Sequence, residues 1–252
     1  MEISRKDWLA YANRLSKLNT KAAEEMRKFI DTHGVEDVRG MIDFAYALAT
    51  KYGEASAALS AEMYDVIATL EKAILPAAEM AATASYGEVA KTIQGILKSS
   101  VNTAQLSNAV GRLVKQAGAD TTLQNALRDG AEFAWVPSGD TCAFCIALAS
   151  RGWQYASRQA IKNGHAEHIH THCDCTYAIR FNQRSGVRGY YPEEYLAEYY
   201  DAPLDGEAPT PRNRINALRR ENYAKNKDMI NAQKREAYAL RKAAIEAGEI
   251  EE

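Results

Sequence analysis

The stretch AEFAWVP, residues 131–137, breaks the helical spacing that governs the chain before it. Aromatic and β-branched residues bounded by Gly130 and Pro137 form the pattern of a strand. TYAIRF, residues 176–181, alternates as a second strand. Between the two, AFCIALASRG, residues 143–152, has helical composition and closes on Gly152. Together they predict a small α+β unit over residues 131–185, built on a two- or three-stranded sheet. Such a sheet has too few strands to bury a core alone.

Upstream, residues 1–130 read as a helical region. Ser4 with Asp7 resembles a capping box, Trp8, Leu15, Leu18, Ala22, Met26 and Phe29 recur at three- and four-residue steps, and Gly34 suits the residue after a helix end. A second helix is expected at about 36–51, with Val38, Ile42, Ala45, Leu48 and Ala49 on one face. A third, at about 54–83, carries Leu59, Met63, Val66, Ile67, Leu70 and Ile74 and is broken or kinked by Pro76. Two more follow at 87–98 and 103–117, the latter stopped by Gly118, and then a short helix in DTTLQNALRDG, residues 120–130. Each apolar stripe needs partners, which predicts an antiparallel bundle.

Downstream, residues 186–211 combine the aromatic run GYYPEEYLAEYY with a breaker-rich linker, DAPLDGEAPTP. The aromatic run is expected to cover the α+β unit, since aromatic clusters pack within their own fold. Residues 212–252 form a charged C-terminal helix. Over 212–242 it holds ten basic residues, Arg212, Arg214, Arg219, Arg220, Lys225, Lys227, Lys234, Arg235, Arg241 and Lys242, against Glu221, Asp228 and Glu236. Such a run suits a solvated helix, a partner-docking helix, or one lying along nucleic-acid phosphates.

Composition narrows the class of protein. The chain has 252 residues, 46% hydrophobic and 25% charged, with a formal net charge of −2, so global charge favours neither nucleic acid nor membrane. No apolar run approaches the roughly 20 residues of a membrane helix, and MEISRKDWLAYANRL lacks an apolar signal core. The chain is therefore expected to be made in a cytosol, where thiols stay reduced and clustered cysteines serve metals or catalysis more often than disulfides.

All four cysteines fall in one window. GDTCAFC, residues 139–145, offers Cys142 and Cys145; HTHCDC, residues 170–175, offers Cys173 and Cys175 with His170 three residues ahead of Cys173. Structural zinc takes four soft ligands, commonly as two close pairs from two segments. Five candidates compete for four places. Disulfides or unliganded thiols, and a catalytic metal with an open position, are the alternatives. HAEH, residues 165–168, does not match the metalloprotease spacing, because His165 and His168 are three apart rather than four. The nucleobase-deaminase order fails too, because His165 and Glu167 follow the CxxC pair.

Taken together, DTTLQNALRDGAEFAWVPSGDTCAFCIALASRG and HTHCDCTYAIRF resemble the phage head morphogenesis family, minor capsid proteins similar to the F protein of phage Mu and to the actinobacteriophage type. Gly139, Asp140, Thr141, Cys142, Cys145, His170, Cys173 and Cys175 match its motif, over about residues 120–182. The resemblance implies a structural, non-enzymatic protein, assembled in the host cytoplasm and placed at the capsid interior, with portal protein and major capsid protein as partners. It makes His170 a better ligand than His172. The expected cofactor is one structural Zn2+, with Asp140, Thr141 and Asp174 as turn and ligand-orienting groups. Packaged DNA is an alternative contact for the basic helix beside solvent and a protein partner, and no membrane contact is expected. A zinc-dependent enzyme acting on nucleic acid or peptide is the alternative. The expected fold class is mainly α with a small α+β zinc-binding unit.

Overall fold

The computed structural model describes residues 2–99, 102–138, 143–158 and 175–201, with the backbone alone for 143–144 and 197–201. The chain divides into two units, Met1–Asp201 and Ala202–Glu252. The second unit lies outside the described residues, and with it the charged segment 212–252. Within the first unit the elements run β1 (Glu2–Ile3), α1 (Arg5–His33), α2 (Val38–Leu70), α3 (Tyr86–Ser99), α4 (Thr103–Asp129), β2 (Glu132–Val136), α5 (Ala143–Ala149), β3 (Gln154–Tyr155), β4 (Thr176–Arg180), β5 (Gly186–Val187) and α6 (Pro192–Asp201). The described fold is mainly helical with a small sheet, as the spacing predicts.

The first helix starts and stops where its sequence says. Ser4 Oγ accepts from the Asp7 backbone N–H at 3.1 Å and donates to Asp7 Oδ2 at 2.6 Å. At the other end Gly34 takes φ 73°, and its N–H reaches Ile30 O at 2.8 Å. The buried face carries Trp8, Tyr11, Leu15, Ala22, Met26 and Ile30.

Helix α2 departs from the sequence reading. One helix, Val38–Leu70, replaces the expected pair at 36–51 and 54–83. Gly53 marks no break: a Cβ there would lie 2.9 Å from Thr83 Cγ2, so the missing side chain admits a neighbouring segment. The helix also stops well before Pro76. A proline ring clashes with the carbonyl four residues back, which is Lys72, and Lys72 has already left the helix with φ 55°.

From residue 74 to residue 84 the chain runs without helix or strand and is tied down by side chains of α2 and α4. Asp65 Oδ1 accepts from Ala78 N at 2.8 Å, and Thr121 Oγ1 accepts from Ala81 N at 3.0 Å. Asn125, 2% exposed, acts as a strand partner would: Oδ1 accepts from Glu79 N at 2.9 Å and Nδ2 donates to Glu79 O at 2.8 Å. Replacing Asn125 with Ala is expected to cost about 2–3 kcal/mol and to expose residues 74–84 to limited proteolysis ahead of global unfolding. Protection equal to that of the native chain would contradict this role.

Helix α4 likewise runs through an expected stop. Thr103–Asp129 is continuous across Gly118, merging the two helices expected at 103–117 and 120–130. Here Gly118 serves close packing: a Cβ would lie 2.5 Å from Ser56 Oγ on α2. The helix ends at Gly130, in the left-handed region at φ 66°.

A carboxylate secures that end. Asp129 takes a fork from Arg128, Nε to Oδ1 at 2.7 Å and NH2 to Oδ2 at 2.8 Å, and accepts from Tyr64 Oη of α2 at 2.8 Å. The Arg128 hydrogen bond, opposed by partial burial and aided by Tyr64, holds the Asp129 carboxyl below its usual range. A depressed carboxyl stabilises the fold above its unfolded value of about 3.9, and that contribution disappears as pH falls through the lower folded value. Asp129→Asn is therefore expected to cost about 2–3 kcal/mol at neutral pH, with the deficit shrinking below about pH 4. Denaturant midpoints measured across that range check it.

The sheet has the order β3-β2-β4, with β2 antiparallel to both neighbours. Glu132 stands opposite Arg180 and Val136 opposite Thr176. All five β2 residues are buried, which an isolated sheet of this size could not achieve. The cover comes from the helices: one core cluster joins Trp8, Tyr11 and Leu15 of α1, Leu59, Tyr64 and Ile67 of α2, and Leu123 and Ala126 of α4 to the β2 and β4 side chains. A second cluster fills the rest of the bundle around Met26, Met41, Ile93, Leu106 and Val110. Glu71, just past α2, accepts from Phe181 N at 2.9 Å and so ties the end of β4 to the bundle. Burial raises its carboxyl above the ordinary value.

The aromatic run divides. Tyr190 is 5% exposed, donates to Ala149 O of α5 at 2.8 Å and meets Trp153 edge-on at 6.0 Å. Tyr195 packs against the same cluster, whereas Tyr191 faces solvent. Among the described residues, no helix is long and apolar enough to cross a membrane.

Candidate functional site

Cys175 stands at the end of the sheet where β2 leaves and β4 enters. Val136 closes β2 opposite Thr176, and Cys175 immediately precedes Thr176. From Val136 the chain passes through Pro137 toward the CxxC pair, and α5 begins directly after Cys142. Antiparallel pairing thus sets the end of β2, which leads toward Cys142 in the sequence, beside the head of β4, which follows Cys175.

Two of the expected ligands are described. Cys145 on α5 is 1% exposed and Cys175 at the head of β4 is 3% exposed, and both belong to the core cluster that contains Trp135, Val136 and Tyr177. Trp135 meets Tyr177 edge-on across the ladder, with ring centroids 4.5 Å apart. The remaining expected ligands, Cys142, His170 and Cys173, lie outside the described residues, as do Asp140, Thr141, Asp174 and the histidines at 165, 168 and 172. So do Arg212, Arg214, Arg219, Arg220, Lys225, Lys227, Lys234 and Arg235 of the basic segment. Among the described residues, no three His, Cys, Asp or Glu side chains converge on a possible metal position. The structure therefore places two thiols in one water-excluded core and leaves the rest of the ligand set to connectivity.

Cys145 and Cys175 are the two described members of that donor set, and both are buried. Both described sulfurs are shielded from solvent by apolar and aromatic neighbours. Structural zinc sites are closed tetrahedra, whereas catalytic sites keep a position open to water or substrate.

Around this end the sheet is braced by groups that the motif search did not single out. Arg5 NH2 donates to Pro137 O at 3.4 Å, fixing the exit of β2 to the start of α1. At the opposite end of the ladder, Arg180 Nε reaches Glu132 Oε2 at 2.5 Å, and its guanidinium lies 4.6 Å from the Trp153 ring centroid. Opposite charges paired across neighbouring strands were the available signal for Arg180 and Glu132. Nothing local flags Arg5, since its partner is a backbone carbonyl 132 residues away.

Helices α1, α2 and α4 thus cover a three-stranded sheet, with Cys175 at the head of one of its strands. The family described as VG15 protein matches residues 2–202, and the chain belongs to this family of viral gene products. The match spans the whole of the first compact unit, helices and sheet together. No curated protein and no solved structure matches the chain.

Proposed function

We propose that the chain is a structural minor capsid protein of a phage, acting in head assembly beside the portal protein and the major capsid protein, and that it carries one structural zinc ion. The observation that carries the viral part is the family match over residues 2–202. The finer assignment to head assembly rests on the cysteine and histidine motif, which resembles that of head morphogenesis proteins. Cys145 and Cys175 hold the ion from the buried side, with Cys142, Cys173 and His170 as the candidates for the remaining positions. When bound, zinc supplies cross-linking between α5 and the head of β4, since binding to a folded site becomes folding free energy. The protein acts as a rigid docking body at the capsid interior and not as a catalyst.

The test is purification of assembled heads followed by mild dissociation and cross-linking mass spectrometry. Cross-links from this chain to portal or major capsid protein support the proposal. Recovery of the chain only outside heads, with no such cross-link, removes it.

A further inference from the structure

Where α1, α2 and α4 meet the head of β4 there is a cavity of about 20 Å3, bordered by Asn19, Ser56, Gly118 and Thr176. That volume is enough to hold one water molecule. Apolar cavities of this kind stay dry, so the chemistry of the wall decides the matter.

The wall is polar at three points. Ser56 is 1% exposed and Thr176 is 7% exposed, and the Oγ of the one and the Oγ1 of the other have no hydrogen-bond partner among the described residues. Asn19 Oδ1 is likewise shielded and without a partner. Their neighbour Tyr11 is different: its hydroxyl pairs with Ser60 Oγ at 3.2 Å. Buried polar groups in native proteins are nearly always satisfied, by protein or by ordered water. Three unsatisfied groups, from α1, α2 and β4, thus belong to residues that line the same small space.

We propose that this cavity is a binding site for one ordered water molecule, which donates to Asn19 Oδ1 and accepts from the Ser56 and Thr176 hydroxyls. Three bonds is the usual complement of a buried water. The water acts as a polar joint, fixing β4 beside Cys175 to two helices of the bundle. It is independent of the proposed viral role and of zinc.

The experiment combines a high-resolution crystal structure of the full chain with oxygen-17 relaxation dispersion in solution. Expected is one well-ordered peak at about 3 Å from all three oxygens, and a dispersion amplitude that drops by one long-lived water in Ser56→Ala/Thr176→Val. Side chains bonded directly to one another, no peak in the cavity, or an amplitude unchanged in the double variant would each overturn the proposal. Should the double variant fail to fold, the density in the native chain and in Thr176→Val alone decides it.

Discussion

Trp8→Ala lowers the stability of the whole unit Met1–Asp201 by about 3–5 kcal/mol, the usual cost of emptying a large aromatic site. Trp8 is fully buried, and Tyr11 lies against it with ring centroids 5.4 Å apart. Its cluster contains residues of α1, α2, α4 and α5 together with Phe133, Trp135 and Ile179 of the sheet. A hole there removes contacts from the bundle and the sheet at once, so the two must weaken together. Urea unfolding followed by far-ultraviolet circular dichroism and by Trp135 and Trp153 fluorescence should show coincident transitions at a lower midpoint. Helices that keep their native midpoint while the fluorescence transition moves would mean that the sheet is a separate body.

Removing the proposed zinc ion is expected to have the second large effect, and a more local one. Structural zinc in small domains contributes on the order of 10 kcal/mol to folding. In this chain β2 and β4 also rest on α4 through Leu123 and Ala126, so the helices should survive without the ion. A strong chelator added to the full chain should leave the helical dichroism nearly unchanged while altering the fluorescence of Trp135 and raising proteolysis around residues 137–175. Cys175→Ser and Cys145→Ser should each lower zinc content and reproduce the chelator's effect. Substituting buried thiols in a metal-free fold would instead give small stability changes and no response to chelator.

Much of the architecture can be read from residue spacing, and the places where it cannot share a cause. Ser4, Asp7 and Gly34 bound α1 correctly because caps act within one turn and need no distant partner. The strands at AEFAWVP and TYAIRF are legible for the same reason. Gly53 and Gly118 look like stops in a single sequence, because a glycine that breaks a helix and one that lets two helices touch are written with the same letter. Their meaning lies in Thr83 and Ser56, residues far along the chain. The segment 74–84 carries an apolar, alanine-rich pattern that suits a helix, but Asp65, Thr121 and Asn125 satisfy its backbone in another conformation.

The candidate site follows the same division. Clustering of every cysteine between residues 142 and 175 is visible in the sequence, and the structure adds that Cys145 and Cys175 are buried in one core cluster. Arg5, Glu71 and the pairing of Asn125 with Glu79 are long-range and electrostatic or backbone-directed, and residue periodicity contains no trace of them.

Zinc-edge X-ray absorption on the purified full-length chain, with metal content measured on the same sample, probes the centre of this picture most directly. About one zinc per chain with a sulfur-dominated first shell near 2.3 Å is the predicted result. Fully folded protein without zinc, or zinc surrounded only by oxygen and nitrogen, would show that the cysteines of the two segments do not meet at an ion.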